Sequence, residues 1–132
     1  MRKLIYDNPL AYEEDIKGFV LEGKAKTCFE NGKMQLISTE NPELGQAANY
    51  VLWCPEDFPA DVEFEWEFRP MNDVGLCIVF FAAIGQNGKD IFDESLTKRT
   101  GEYGYYHSGD INAFHISYYR RRYPEERVFH TC

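Results

Sequence analysis

The chain has 132 residues, 14 Lys and Arg against 22 Asp and Glu, a net charge of −8, and 44% hydrophobic and 16% aromatic content. That length and composition predict one folded domain over 1–132 and exclude a disordered chain. The acidic balance argues against nucleic acid as a partner, because the one basic run, Arg120-Arg121-Arg122, is followed at once by Glu125 and Glu126.

At the N-terminus, MRKLIYDNPLAYEED turns polar and acidic before a signal-peptide core could form. Its PLAYEED segment, 9–15, predicts a short helical turn starting at Pro9. Ala25 to Glu30 and Lys33 to Ser38 flank Asn31-Gly32, a dipeptide suited to a type I′ hairpin turn. Asn49 to Trp53 reads as a short aromatic strand stopped by Pro55 and Pro59. From Asp61 to Arg69 the alternation is unbroken. Val62, Phe64, Trp66 and Phe68 take one face, so Trp66 is assigned to the core, and Glu63, Glu65, Glu67 and Arg69 take the other.

Gly75 to Ala83 is apolar on both faces, as a strand covered on both sides would be. The full run to Gly85 is shorter than the roughly 18–20 residues of a membrane span, so no membrane partner and a cytoplasmic location are expected. Ile84 to Gly104 is a long polar loop. Asp110 to Arg122 is a long strand, with Ala113, His115, Ser117 and Tyr119 on one face and Phe114, Ile116, Tyr118 and Arg120 on the other. Cysteines at 28, 54, 77 and 132 show no C-x-x-C spacing, and all four are expected as thiols, with Cys77 a small buried hydrophobe. Alternating strands with turn signals between them predict an all-β antiparallel two-sheet sandwich or jelly roll.

Three constellations could carry chemistry. Glu63, Glu65 and Glu67 stand about 6–7 Å apart along a strand face, a spacing compatible with glycoside hydrolysis by paired carboxylates. The plainer reading, which the commonness of alternating charge favours, is an exposed face kept soluble by charge. Tyr105-Tyr106-His107-Ser108-Gly109-Asp110, with Asn112, His115, Tyr118 and Arg120, gathers imidazole, phenol, carboxylate and guanidinium in 16 residues. Sugar sites use such groups, aromatic rings on the C–H face and polar groups on the hydroxyls. A lyase acting on a uronic acid would use Tyr or His as base and Arg on the carboxylate. The plain alternative makes His115 an interior histidine and the tyrosines sheet packing. Gln86 to Glu94 holds oxygen ligands for calcium but departs from the EF-hand pattern, so a solvated loop and no cofactor or metal are expected. Trp53 is left between core and platform.

VLWCPEDFPADVEFEWEFRP, NDVGLCIVFFAAIGQNGKDIFD and above all YHSGDINAFHISYYRR followed by ERVFHTC resemble the YesU-like bacterial family, a domain-of-unknown-function family of concanavalin A-like jelly rolls. LIYDNPL and the Asn-Gly hairpin also fit, so the resemblance covers nearly the whole chain. It implies a sandwich of the lectin and glucanase type, associated with plant cell-wall polysaccharide of the pectin or rhamnogalacturonan type. Oligosaccharide is then the expected partner, with a polysaccharide lyase or glycoside hydrolase as the alternative. The resemblance carries over no catalytic set. By motif and chemistry, the catalytic candidates are His107, His115, Tyr118 and Arg120, and the substrate-binding candidates are Trp53, Glu65, Tyr106, Asp110 and Asn112. Members of the family run to roughly 200 residues, as a sandwich of this type usually needs. The chain is therefore expected to be a shortened or truncated member, the N-terminal part of a longer sandwich. Its missing strands would come from a longer reading frame or another chain, and its unpaired sheet edges could support self-association.

Overall fold

The computed structural model describes residues 1–72 and 75–121, with backbone alone at Arg120 and Arg121. Its strands are β1 (Val20–Gly23), β2 (Ala25–Glu30), β3 (Lys33–Ser38), β4 (Tyr50–Trp53), β5 (Gly75–Gly85) and β6 (Ile111–Arg121), and one helical turn, α1, spans Gly104–His107. All strand pairs are antiparallel: β1 with β4, β2 with β3, and β5 with β6. The chain divides into two compact units. Unit 1 is Met1–Asp57 with Thr97–Gly109, and unit 2 is Phe58–Leu96 with Asp110–Cys132.

In unit 1 the hairpin forms where its dipeptide demands. Asn31 and Gly32 take φ of 53° and 70°, the two left-handed residues of a type I′ turn, and Glu30 stands opposite Lys33. The helical turn begins later than Pro9, as a 3-10 turn at Glu13–Ile16. Asp15 sets that start, its carboxylate accepting from the backbone N–H of Ala11 and of Tyr12, each at 2.9 Å. β1, four residues ending at Gly23, is too short for a pattern reading to isolate. Its register against β4 pairs Val20 with Trp53 and Glu22 with Val51, so these four side chains share one face. Trp53 is 7% exposed and anchors this core.

The run after Thr97 crosses the end of the β1–β4 ladder at backbone contact. Gly101 has φ +94°, and a Cβ there would stand 2.2 Å from the Asn49 carbonyl oxygen. Only glycine allows that approach.

Unit 2 is built on the β5–β6 ladder, from Gly75 opposite Arg121 to Gly85 opposite Ile111. Two bulges interrupt it. Between Cys77 and Ile78 the partner passes from Tyr119 to Ser117, so Tyr118 is the extra residue. Between Phe81 and Ile84 it passes from Phe114 to Asn112, with Ala82 at φ 51°.

Three expectations are corrected here. Asp61 to Arg69 forms no strand. The ladder of β5 is with β6, and alternation without a hydrogen-bonded neighbour among the described residues does not make a strand. Trp66 is 51% exposed rather than core, its ring edge-on to Tyr118 at 5.7 Å. β5 is not covered on both faces, since Leu76 and Ile84 stand about half exposed. Cys28, Cys54 and Cys77 are thiols, while Cys132 lies outside the described residues. Cys77 is half-buried; burial pushes its thiol up, and the Tyr118 hydroxyl pulls it partly back. No helix among the described residues is long and apolar enough to cross a membrane.

Candidate functional site

Glu22 is a carboxylate on the inward face of β1, and its side chain is only 10% exposed. A charge so placed must be paired and hydrogen-bonded. Its Oε1 accepts from Trp53 Nε1 at 2.8 Å, Arg99 Nε at 3.0 Å and the Tyr106 hydroxyl at 3.0 Å. Its Oε2 accepts from Arg99 Nη2 at 2.7 Å, giving a two-pronged ion pair with a guanidinium that is 4% exposed. The Tyr106 hydroxyl also accepts from the Gly101 N–H at 3.1 Å. Burial, and after it the Glu22 charge, holds the Tyr106 phenol far above its ordinary range. The cluster is therefore an anchor: it ties the 97–109 segment to the β1–β4 ladder and keeps its own proton.

The same segment carries an open cleft of about 340 Å³, lined by Thr97, Glu102, Gly104, Tyr105, Ser108 and Gly109. α1 supplies Gly104 and Tyr105 to its lining, and closes with the Ser108 N–H donating to the Gly104 carbonyl at 3.0 Å. The Tyr103 N–H donates to Gln46 Oε1 at 3.2 Å, and the Tyr103 ring tilts over His107 at 5.2 Å. An aromatic ring, one carboxylate and two hydroxyls around a cleft suit a small polyhydroxylated ligand, at the lower end of the roughly 300–1,000 Å³ that ligand sites occupy.

The structure redistributes the residues singled out from sequence. Trp53 and Tyr106, read as substrate-binding, come together at a ring separation of 6.4 Å. Both are buried, with their polar atoms bonded to Glu22. His107 is exposed at the end of α1. In unit 2, the Asp110 carbonyl accepts from the Gln86 N–H at 2.9 Å, and Asn112 stands opposite Ile84. His115 is exposed rather than interior, its ring 5.9 Å from Phe80. Tyr118 packs on Trp66 and Phe68. Arg120 is paired through its backbone with Leu76, and its side chain lies outside the described residues. Glu65 is exposed, as are Glu63 and Glu67. Asn112, His115 and Tyr118 thus lie strung along one strand.

In the 86–94 loop the acidic side chains serve their own turns. Asp90 Oδ1 accepts from the Phe92 N–H at 2.8 Å, and Asp93 Oδ1 from the Ser95 N–H at 2.9 Å. Hydrogen bonds from Ser95 hold the Asp93 carboxyl below its usual range. Among the described residues no group of three or more His, Cys, Asp or Glu is placed to hold a metal ion.

Sequence reasoning missed Glu22 and Arg99. The available signal was a lone carboxylate in Phe19-Val20-Leu21-Glu22-Gly23, a short apolar run bounded by glycines; its partner lies 77 residues away.

The uncharacterized protein YesU of Bacillus subtilis (strain 168) is 47% identical over 128 residues, which are 97% of this chain and 56% of YesU. A crystal structure of a Bacillus subtilis protein of unknown function with a galectin-like fold superposes with a TM-score of 0.77 at 44% identity, covering 93% of this chain and 54% of that one. The chain thus spans about half the length of the proteins it matches, and its architecture is that of the galectin-like antiparallel β-sandwich, in keeping with the jelly roll expected from sequence. The family model described as a domain of unknown function, DUF1961, matches residues 3–132, and the chain belongs to that family.

Proposed function

We propose that this chain recognises oligosaccharide through the cleft of unit 1. The observation that carries the reading is the pairing of Tyr105 with Glu102, Thr97 and Ser108 around one opening. A sugar presents a C–H face to the ring and hydroxyls to the polar groups. The likeness to a galectin-like fold supports the same class of ligand by analogy. Within the plant cell-wall class that the family resemblance implies, the cleft favours neutral residues of a rhamnogalacturonan-type chain over its uronates. Glu102 is the one charged side chain lining it, and the whole chain carries −8, so a carboxylate-bearing sugar is repelled.

The test is thermal unfolding with neutral and with galacturonate oligosaccharides. A neutral oligosaccharide at 100 times its Kd stabilises by about 2.7 kcal/mol, and Tyr105→Ala abolishes that gain while leaving the ligand-free transition in place. Replacing Glu102→Gln admits the uronate oligosaccharides. If no oligosaccharide raises the midpoint at millimolar concentration, or if Tyr105→Ala leaves the gain intact, the reading is wrong.

A further inference from the structure

The 97–109 segment holds three glycines, and packing accounts for two of them. Gly101 lies against the Asn49 carbonyl, and a Cβ on Gly109 would stand 2.5 Å from the Tyr105 carbonyl oxygen. Gly104 is different. It sits in α1 without the left-handed φ of Gly101, and a Cβ built on it meets nothing within 4 Å. Any L residue fits that backbone, and a helical turn favours alanine over glycine. The absent side chain therefore relieves no contact of the fold. What it leaves bare is the cleft, which Gly104 lines together with Ser108. Residues four apart on a helical turn share a face, so a side chain at 104 would stand beside Ser108 and narrow the opening.

Two polar groups beside that bare position are committed as acceptors. The Ser108 hydroxyl donates to the Gly104 carbonyl at 3.3 Å, so its proton is engaged and it offers a ligand its lone pairs. Glu102 brings a carboxylate, which only accepts. The Gly104 carbonyl itself already takes the Ser108 N–H and the Ser108 hydroxyl. At these groups the ligand must supply the donors. We infer that Gly104 is the specificity-determining residue of the cleft: its bare backbone seats a pyranose ring whose unsubstituted hydroxyls donate to Glu102 and Ser108. The assignment rests on the oligosaccharide reading and narrows it to sugars that bring free hydroxyls and a ring able to approach the backbone closely. A site built to hydrogen-bond a hydroxyl rejects the analogue that lacks it, because its own polar groups are then left unpaired.

The experiment follows thermal unfolding and titration calorimetry of the 132-residue chain with neutral pyranose tetrasaccharides, galactotetraose and cellotetraose among them, and with the same sugars O-methylated. For a tetrasaccharide that raises the parent midpoint, Gly104→Ala binds roughly 10-fold and Gly104→Leu roughly 100-fold more weakly. The ligand-free midpoint of Gly104→Ala stays level or rises, since alanine suits the turn, whereas that of Gly109→Ala drops. O-methylation of the sugar removes the gain. Parent affinity retained in Gly104→Leu, or an O-methylated sugar bound as tightly as the free one, overturns the inference. So does a ligand-free loss in Gly104→Ala as large as that in Gly109→Ala, which would make glycine at 104 a requirement of the fold. Tyr105→Ala separates the two claims. If it abolishes binding and Gly104→Leu does not, the oligosaccharide reading stands and the role of Gly104 alone falls. If no neutral oligosaccharide raises the parent midpoint at millimolar concentration, the reading fails and this assignment with it.

Discussion

Removing Arg99 tests whether the Glu22 cluster is the anchor of unit 1. Arg99→Met deletes the 3.0 and 2.7 Å bonds to Glu22 and keeps most of the side-chain volume. Glu22 then retains the Trp53 indole and the Tyr106 hydroxyl, two neutral donors, around a charge that is 10% exposed. Stranding one partner of a buried pair costs about 3–5 kcal/mol, a large share of the roughly 5–15 kcal/mol that holds a domain folded. Glu22→Leu removes the carboxylate from the guanidinium instead, and is also destabilising. The double variant removes both charges, so its loss falls short of the summed single losses by about 1–3 kcal/mol, the coupling expected of groups in direct contact. Urea unfolding at pH 7, read from the midpoint with the slope unchanged, supplies all three values. The Lys24–Glu40 pair, 2.7 Å apart with its lysine exposed, is the internal control: its loss is small and fades with added salt. Additivity of the Glu22 and Arg99 substitutions within about 0.5 kcal/mol would refute the anchor.

Two left-handed glycines separate backbone strain from close approach. Gly32→Ala, at φ +70° with open space around it, costs about 1 kcal/mol. Gly101→Ala, at φ +94° against the Asn49 carbonyl, costs at least about 3 kcal/mol, and equal shifts in thermal midpoint would show that the 97–101 crossing is not tight. High pH tests Tyr106. Because its phenol is raised in the folded state, the unfolded chain loses that proton first, from about pH 10 upward. Stability is thus fully present below that pH and falls by about 1.4 kcal/mol per unit above it. Tyr106→Phe removes this slope relative to the parent, whereas parallel curves for the two proteins would contradict the burial of the phenol.

What was legible in the sequence divides along the reach of each interaction. The Asn31-Gly32 turn needs φ > 0 at two neighbouring residues, a demand written entirely in those residues, and it stands where read. β5 and β6 follow the apolar run and the alternation almost to the residue. Asp61 to Arg69 has the cleanest alternation in the chain and forms no strand. Period-two patterning selects a face, whereas a strand also needs a neighbour, which patterning does not encode. The tryptophans divide for the same reason, Trp66 against its expected place in the core and Trp53 settling what the sequence left open. Trp66 has apolar neighbours at i±2 and is exposed. Trp53 sits in a four-residue strand and is buried, because Glu22 and Tyr106 arrive from distant parts of the chain.

The candidate cleft was half legible, and its geometry explains which half. The aromatic-rich run from Tyr105 to Ser108 drew notice as a sugar-binding composition, but composition does not say which of two adjacent tyrosines faces outward. Neighbouring residues in a helical turn point about 100° apart, so the direction of one decides the direction of the other. Tyr106 is drawn inward by the Glu22 carboxylate and the Gly101 N–H, and this leaves Tyr105 to line the cleft. The buried ion pair therefore acts on the cleft without touching it. It holds Tyr106 to the inward face of the segment, a placement that Glu22, absent from every motif, contributes and that the sequence pattern alone does not carry.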